Sequence, residues 1–498
     1  MGTRVLKVGQ TDDGVAAADL DRGIAAIQQE LEVTPDFPAE VLAAAEQAAA
    51  SPRLPDLDRT DLELVTIDPA GSMDLDQAMH LERDGEGYVV HYAIADVAAF
   101  VAVGDPVDLE AHRRGESLYG ADSLVPLHPT VLSAGAASLL PDQLRPAFVW
   151  TIALDASGAT TSATVERARV RSRARLDYAA VDAALAAGEA GGTGGQEGAG
   201  PGTPTGPGGS TLVLLREVGR LRIAQEAARG GVSLPMPAQE VGLQDGRARL
   251  EYRAMLPVET WNAQISLLTG FAAAAMMIEH RVGVLRTLPP APDGAVSRLR
   301  RTARALGIDW PADLGHADFI RTLDPARPAD AAMVVAATTL LRGAAYAAFD
   351  GELPGQLEHA ALASPYAHVT APLRRLVDRY GLEVCAAICA GTEVPAWARE
   401  ALPQLPAEMQ ASGRRAGAYE RAVLDLVEAL TLRDRVGETF DAVVLEAQED
   451  GHRGTAMLRE PAVEAQVRSS GAALPVGESA RVVLREADPA TRRVRFEL

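Results

Sequence analysis

Three aspartates lie within nine residues of one another in the segment TIDPAGSMDLDQA, residues 66–78. Asp68, Asp74 and Asp76 repel one another when ionised, and a chain tolerates such crowding when a positive charge sits among them. Hard divalent cations prefer carboxylate oxygen. The spacing therefore predicts a metal site, and an acidic turn without a bound ion is the simpler alternative.

A calcium-binding loop does not fit the same residues. Such a loop needs ligands at alternating positions, a central glycine and a closing glutamate. Starting at Asp68, the third residue is Ala70, the sixth is Met73, and no glutamate closes the loop. The alternatives that remain are a site for another hard cation and a plain acidic turn.

Two apolar segments flank the acidic loop and must position it. Residues 61–67 (DLELVTI) and 87–101 (GYVVHYAIADVAAFV) have the composition of buried strands. The aspartates are therefore expected on a tight loop that leaves one strand and enters the next part of a sheet. Loops on a rigid scaffold are where proteins most often present catalytic groups.

A second segment, YAHVTAPLRRLVDRY at residues 366–380, places Arg374 and Arg375 directly after a Thr-Ala-Pro turn. Together with the aspartate loop, this segment resembles the RNB family of ribonucleases, the ribonuclease II and R group. The intervening segments RRGESLYGADSLVPLHPTVLSAGAASLLPDQLRPA (113–147) and VRSRARLDYAAV (170–181) also resemble that family. The resemblance covers roughly residues 59–432 and continues into the C-terminus.

The resemblance implies a processive, hydrolytic 3′-to-5′ exoribonuclease. Such an enzyme acts on the 3′ ends of single-stranded RNA, releases nucleoside 5′-monophosphates and depends on Mg²⁺, with Mn²⁺ as a possible substitute. By the same resemblance, Asp76 and Arg374 are the catalytic residues, and Asp68, Asp74 and Asp76 are metal ligands. A monomer is also implied.

The family's RNA-contacting positions are carried over in the same way. Tyr119 corresponds to the tyrosine that helps to hold the RNA 3′ end, and Arg374 and Arg375 follow the conserved type of turn. Glu420, in AYERAVLDL, lies where the family often has a glutamate near the end of the RNA path. These four residues are the predicted RNA contacts.

The sequence departs from the family pattern at Gln77, where a second aspartate is usual. The amide oxygen of Gln77 can still coordinate a metal, but one negative charge is lost, so weaker binding of a second metal is expected. This departure keeps open the alternative of a catalytically impaired RNB-fold protein that binds RNA. A nuclease that acts on DNA, or another metal-dependent phosphoesterase, is a further alternative.

Composition limits the class of protein. The chain has 498 residues, of which 47% are hydrophobic, so it has enough apolar residues for two to four domains. No run of eighteen apolar residues occurs, and the N-terminal segment lacks a signal-peptide core. A cytoplasmic protein without a membrane partner is expected. The net charge of −21 argues against binding nucleic acid by bulk charge, so binding would depend on placed arginines.

The predicted fold is a multidomain α+β protein. Residues 1–58 carry two helical patterns, which would form a helix-turn-helix-like domain or a plain helical cap. Residues 59–432 would form a mixed α/β RNB catalytic core, interrupted at 187–210 by a disordered Gly/Pro-rich insertion. Residues 433–498 show five short strand patterns, which predict an OB-type RNA-binding barrel.

Overall fold

The structure is a computed structural model that describes residues 15–121, 124–190, 208–235, 238–244 and 247–498. Its strands in chain order are β1 (Val65–Asp68), β2 (Gln77–Asp84), β3 (Gly87–Ala95), β4 (Leu118–Tyr119), β5 (Leu124–Val125), β6 (Leu144–Leu154), β7 (Thr160–Arg171), β8 (Ala174–Asp177), β9 (Ala238–Gln244), β10 (Arg247–Arg253), β11 (Val282–Thr287), β12 (Ala345–Asp350), β13 (Glu358–His359), β14 (Ser364–Pro365), β15 (Thr439–Ala447), β16 (Arg453–Leu458), β17 (Glu464–Arg468), β18 (Ser479–Asp488) and β19 (Arg493–Glu497).

The α-helices of the described residues surround these strands. They are α1 (Val15–Glu30), α2 (Ala39–Ala50), α3 (Pro106–Arg114), α4 (Tyr178–Ala190), α5 (Gly209–Ala228), α6 (Pro257–His280), α7 (Asp293–Ala305), α8 (His316–Arg321), α9 (Pro328–Ala337), α10 (Leu376–Ala390), α11 (Ala396–Ala401) and α12 (Leu405–Leu432). The strand-rich first part and helix-rich second part of the core agree with the predicted α+β class.

A six-stranded sheet in the order β7-β6-β3-β2-β1-β8 forms the centre of the core. Neighbouring strands are antiparallel except β1 and β8, which are parallel. The sheet is covered on both faces, since Tyr92 and Ile94 of β3 pack in one apolar cluster and Ala93 and Ala95 pack in another. Adjacent residues of a strand point to opposite faces, so β3 is apolar along almost its whole length.

Helix α6 lies inside the first of these clusters. It is the one described helix that is long and apolar enough to cross a membrane by length and composition. Its side chains Ile265, Leu268 and Ala273 are fully buried against the sheet and helix α5. Close contact with α5 requires Gly219, because a Cβ there would lie 2.4 Å from the Cβ of Trp261. These contacts are those of a core helix.

The two N-terminal helices pack on different parts of the protein. Helix α1 buries Leu20, Ile24 and Ile27 in a cluster shared with α12 and the C-terminal barrel. Helix α2 instead buries Val41 and Ala45 in the cluster beneath the central sheet. This arrangement is that of two caps on the core, and it does not have the shared core of a helix-turn-helix pair.

The C-terminal strands close into a barrel in the order β15-β16-β17-β19-β18. This confirms the predicted five-stranded barrel. Helix α12 and helix α9 both pack on its wall. The segment predicted as a disordered insertion, 187–210, overlaps helices at both ends, because α4 continues to Ala190 and α5 begins at Gly209. Residues 191–207 lie outside the described residues.

The packing of α1 predicts that this helix contributes to the stability of the whole chain. Ile27→Ala removes a fully buried side chain, and we expect a loss of about 2–5 kcal/mol in the free energy of unfolding. Leu42→Ala is the matched control, because Leu42 on α2 is 43% exposed. Urea unfolding followed by fluorescence measures both. Equal stability of the two variants would show that α1 is not part of the cooperative core.

Candidate active site

The aspartate loop is a short, firmly anchored connection between β1 and β2. It begins with a turn in which Ser72 donates its backbone N–H to Pro69, with Gly71 at φ +83°. A side chain at that φ would be strained, so glycine suits the position. Further along, the Ser138 hydroxyl donates to the carbonyl of Met73 and accepts the N–H of Leu75. Asp68, Asp74 and Asp76 are therefore carried on a fixed backbone.

The Thr-Ala-Pro turn lies directly against this loop. Asp76 accepts the backbone N–H of Leu373 at 2.8 Å, and its other oxygen is 3.4 Å from Nε of Arg374. Asp76 is almost fully buried, whereas the Arg374 side chain is 41% exposed. The structure thus joins two motifs that are almost 300 residues apart. It leaves part of the Arg374 side chain exposed, where it can meet an anion.

Burial raises the pKa values of all three carboxyl groups. Burial raises the pKa of Asp68 to about 7, with a contribution from the negative charge of Asp74. Burial likewise raises the pKa of Asp76 to about 8, although Arg374 and the Leu373 N–H oppose the shift. The pKa of Asp74 is also raised, mainly by burial. One arginine is too little positive charge for three partly or fully buried acids.

This donor set has the chemistry of a site for a hard divalent cation. Asp68, Asp74 and Asp76 supply only carboxylate oxygen, and burial raises the pKa of each of them. Within the described ranges, no group of three or more His, Cys, Asp or Glu side chains could hold a metal by itself. Mg²⁺ commonly uses one or two carboxylates and completes its shell with waters and substrate phosphate. The residues fit that mode, and their assignment as ligands stays a prediction.

Gln77 is the first residue of β2, and its side chain reaches away from the sheet to the turn. Its amide nitrogen donates to the backbone carbonyl of Thr370. The sequence predicted that the amide oxygen of Gln77 would serve as a metal ligand. The geometry shows a link between the aspartate loop and the turn, and the ligand role of Gln77 stays a prediction.

Tyr119 lies close to the same charges. Ser117 donates its N–H to the carbonyl of Arg374, and Leu376 donates its N–H to Gly115, so the chain before β4 is paired with the arginine segment. The Tyr119 ring is 36% exposed. Burial of the hydroxyl raises its pKa, and Arg374 and the loop aspartates lie near enough to influence it. The structure therefore brings Tyr119 near Arg374 and the aspartates, and its role at the RNA 3′ end stays a prediction.

Arg375 has a different environment from Arg374. Its Nε and a terminal nitrogen donate to the two oxygens of Asp378, at 2.9 and 2.8 Å. Asp378 is fully buried and also accepts the N–H of Ala371 at 2.7 Å. The guanidinium of Arg375 is thus used to hold the turn, and contact between Arg375 and RNA stays a prediction.

Glu420, on α12, is not among the groups around Asp76. It lies near Glu116, and burial followed by repulsion from Glu116 raises the pKa of Glu420. Glu116 itself has a buried side-chain oxygen without a hydrogen-bond partner. It is bridged through its backbone to Arg375. A role for Glu420 in RNA binding stays a prediction.

Sequence reasoning missed two residues beside the site. The hydroxyl of Tyr178 accepts a hydrogen bond from the Asn262 amide at 2.9 Å, and the charge of Asp68 acts on it. Tyr178 follows β8 directly, as the acidic loop follows β1, and these strands are parallel neighbours. Their ends therefore meet at one edge of the sheet. Only the strand pairing, which the sequence pattern did not give, could have revealed this.

Comparisons with known protein families give two matches, in chain order. Residues 57–386 match the RNB domain, and residues 438–498 match the RNase II-type exonuclease C-terminal S1 domain. The resemblance inferred from the motifs is therefore confirmed. The second match lies on the closed five-stranded barrel.

Individual relatives agree with these matches. Ribonuclease R of Escherichia coli is 28% identical over 411 residues, which are 78% of this chain and 48% of that protein. Ribonuclease R 1 of Lactococcus lactis is 25% identical over 88% of this chain and 53% of its own length. The chain thus spans about half the length of these relatives.

Solved structures share the fold at low identity. Mycoplasma genitalium RNase R in complex with ribose methylated single-stranded RNA aligns with a TM-score of 0.81 at 20% identity, covering 96% of this chain and 78% of that one. Yeast Ssd1, a pseudonuclease, aligns with a TM-score of 0.67 at 16% identity, covering 90% and 55%. The fold therefore occurs in proteins with and without nuclease activity.

The raised pKa values predict a pH-dependent stability for the metal-free protein. Asp68 and Asp76 hold protons up to about pH 7 and 8 in the folded state, whereas their ordinary value is 3.8. Between these limits the folded state binds more protons than the unfolded state, so the free energy of unfolding must fall as pH rises from 4 to about 8.

Urea unfolding in the presence of EDTA at pH 5, 6, 7 and 8 measures this slope. We expect a shallower slope for Asp76→Asn, because one of the carboxyl groups with a raised pKa is removed. Asp84→Asn, at an exposed hairpin position, should keep the slope of the parent chain. An unchanged slope in Asp76→Asn would contradict the assignment of the raised pKa to that carboxyl group.

Proposed function

Because the chain belongs to the RNB family, we propose that it is a hydrolytic 3′-to-5′ exoribonuclease. Its substrate is the 3′ end of single-stranded RNA, its products are nucleoside 5′-monophosphates, and it works processively as a cytoplasmic monomer. The observation that carries the proposal is the contact of Asp76 with Leu373 and Arg374, which unites the acidic and basic halves of one site.

The exposed part of Arg374 provides the anion-binding half of the site. A guanidinium group offers a planar fork of N–H donors that matches phosphate oxygens. It is held in place by the backbone of the turn and by the carboxylate of Asp76. It can therefore bind the scissile phosphate and stabilise the extra negative charge that develops during displacement.

The carboxylates provide the other half. We propose that Asp68, Asp74 and Asp76 hold Mg²⁺ or Mn²⁺ together with substrate phosphate. When bound, such a cation lowers the pKa of a coordinated water and neutralises charge on the phosphoryl oxygens. Asp76 must also keep its hydrogen bond to Leu373, so one of its oxygens is committed to the turn.

RNA contacts are proposed for Tyr119 and the barrel. The partly exposed Tyr119 ring is suited to stacking against the terminal nucleotide beside Arg374. The match to an RNase II-type S1 domain supports RNA binding by residues 438–498. The similar Mycoplasma genitalium protein has been solved with single-stranded RNA, which supports the same class of ligand here.

The competing function is an RNA-binding protein without catalysis. Gln77 and the structural likeness to a pseudonuclease favour it. Against it stand Asp76 and Arg374, because a purely RNA-binding surface does not require a buried carboxylate 3.4 Å from a partly exposed arginine. Retaining buried, mutually repelling carboxylates costs stability, which is typical of active sites.

A nuclease assay tests the proposal. The purified chain is incubated with 5′-labelled single-stranded RNA and Mg²⁺ or Mn²⁺, and we expect progressive shortening from the 3′ end with release of mononucleotides. Arg374→Ala should lower kcat by about 100-fold or more, because a charge-stabilising donor is lost. Asp76→Asn should abolish release, and Asp84→Asn should behave as the parent chain.

One further substrate and a binding assay separate the alternative functions. An all-deoxy oligonucleotide degraded as fast as RNA would identify a nuclease without sugar selectivity. Intact RNA in every reaction, with RNA binding retained in a filter assay, would establish the binding-protein alternative and reject the enzyme.

A stacking role for Tyr119 makes a separate prediction. Loss of one stacked aromatic ring costs about 1–3 kcal/mol, so Tyr119→Ala should raise KM for RNA by roughly 5- to 150-fold while kcat changes little. Tyr119→Phe keeps the ring and should remain close to the parent chain. If both substitutions raised KM equally, the hydroxyl and not the ring would be the RNA contact.

A further inference from the structure

The turn that precedes Arg374 is held at three successive points by side chains. The Gln77 amide donates to the carbonyl of Thr370, Asp378 accepts the N–H of Ala371, and Asp76 accepts the N–H of Leu373. Two of the three holding residues, Asp76 and Gln77, are neighbours in the aspartate loop and at the start of β2. The aspartate loop and the Thr-Ala-Pro turn are therefore joined by two separate hydrogen bonds.

The donor–acceptor chemistry at Thr370 identifies the atom that Gln77 uses. A backbone carbonyl accepts hydrogen bonds and cannot donate, so the Gln77 atom that faces it must be the amide nitrogen. The amide nitrogen is therefore committed to the turn, and only the amide oxygen keeps lone pairs that a metal could use. A carboxylate at the same position would place oxygen against oxygen, so the contact requires a neutral amide.

The surroundings make this contact effective. Thr370 and Leu373 are buried, so a hydrogen bond at this turn is little weakened by competition with water. Gln77 is itself fixed, because its backbone is paired with Ile94 of β3 in the central sheet. The sheet thus provides a rigid base from which Gln77 reaches the turn.

A second point of attachment has a mechanical consequence for Arg374. With only the Asp76–Leu373 hydrogen bond, the turn could pivot about that contact and swing the following arginine. The Gln77–Thr370 hydrogen bond lies three residues earlier and removes this freedom. Arg374 is then held where its Nε faces Asp76 at 3.4 Å.

We propose that Gln77 is a positioning residue for Arg374 and not a ligand of the metal. Where the family has a second aspartate that can bind metal, this chain has Gln77. We call the Gln77–Thr370 hydrogen bond, which links the aspartate loop to the turn before Arg374, the clamp. This inference rests on the proposed nuclease function, since the value of the clamp lies in aligning Arg374 with the scissile phosphate.

Two substitutions of Gln77 distinguish a positioning residue from a metal ligand, because the two roles predict different changes in kcat and in Mg²⁺ affinity. Gln77→Met keeps the length of the side chain but loses the donor, and Gln77→Glu keeps the shape but replaces the donor with a carboxylate. A clamp predicts a roughly tenfold lower kcat for both, with the half-saturating Mg²⁺ concentration changed less than about twofold. A metal ligand predicts tighter Mg²⁺ binding in Gln77→Glu and weaker binding in Gln77→Met.

A double-mutant cycle tests whether Gln77 acts through Arg374. If it does, Gln77→Met combined with Arg374→Ala should have the same kcat as Arg374→Ala alone, because the positioned group is already absent. Gln47→Met, at an exposed position of α2, is the matched control and should retain the parent kcat. Circular dichroism and thermal melting establish that each variant is folded.

The same cycle measured as RNA affinity in EDTA keeps the test independent of activity. Gln77→Met should weaken binding of single-stranded RNA severalfold, but only while Arg374 is present. Effects of the two substitutions that simply add, or a Gln77→Glu variant with full kcat and tighter Mg²⁺ binding, would overturn the proposal. A parent chain without nuclease activity would reject the proposed function, and the binding cycle would still decide for or against the clamp.

Discussion

The hydrogen bond from the Leu373 N–H to the buried carboxylate of Asp76 is the contact on which the site depends. It connects a loop of the central sheet with a turn that begins helix α10, and it sets Arg374 beside the same carboxylate. Without it, the acids would belong to the sheet and the arginine to the helices, with no fixed relation between them. Ser138 holds the backbone of the aspartate loop, and Asp378 holds the backbone of the turn.

The cost of the arrangement is electrostatic. Asp68 and Asp76 are held in surroundings that favour their neutral forms, as their raised pKa values indicate. Divalent cations bound there would reverse that preference by adding positive charge among the carboxylates. The same buried acids that destabilise the folded protein without a cation are therefore those that favour binding of a cation.

Helices α1 and α12 and the C-terminal barrel are also packed firmly against one another. Helix α12 packs against the N-terminal helix α1 and the barrel, and its apolar residues belong to one continuous cluster with both. Ion pairs add to the apolar contacts, since Arg492 of the barrel pairs with Glu30 of α1 and Arg433 pairs with Asp19. The barrel is thus attached to the core through several elements at once. Its position relative to the aspartate loop is set by this packing.

The sequence by itself determined the class of elements, the five-stranded barrel and the acidic and basic motifs, because these follow from local patterns of apolar, turn-forming and charged residues. It did not determine that Arg375 pairs with Asp378, that Tyr178 stands beside Asp68, or that Gln77 donates to Thr370. The last two depend on which strands are neighbours and on which donor meets which acceptor across more than 100 residues of chain, whereas Arg375 and Asp378 are three residues apart and are brought together by the conformation of the turn. The type of a side chain determines which groups it can bind, but only the tertiary structure determines which of those groups lies close enough to contact it.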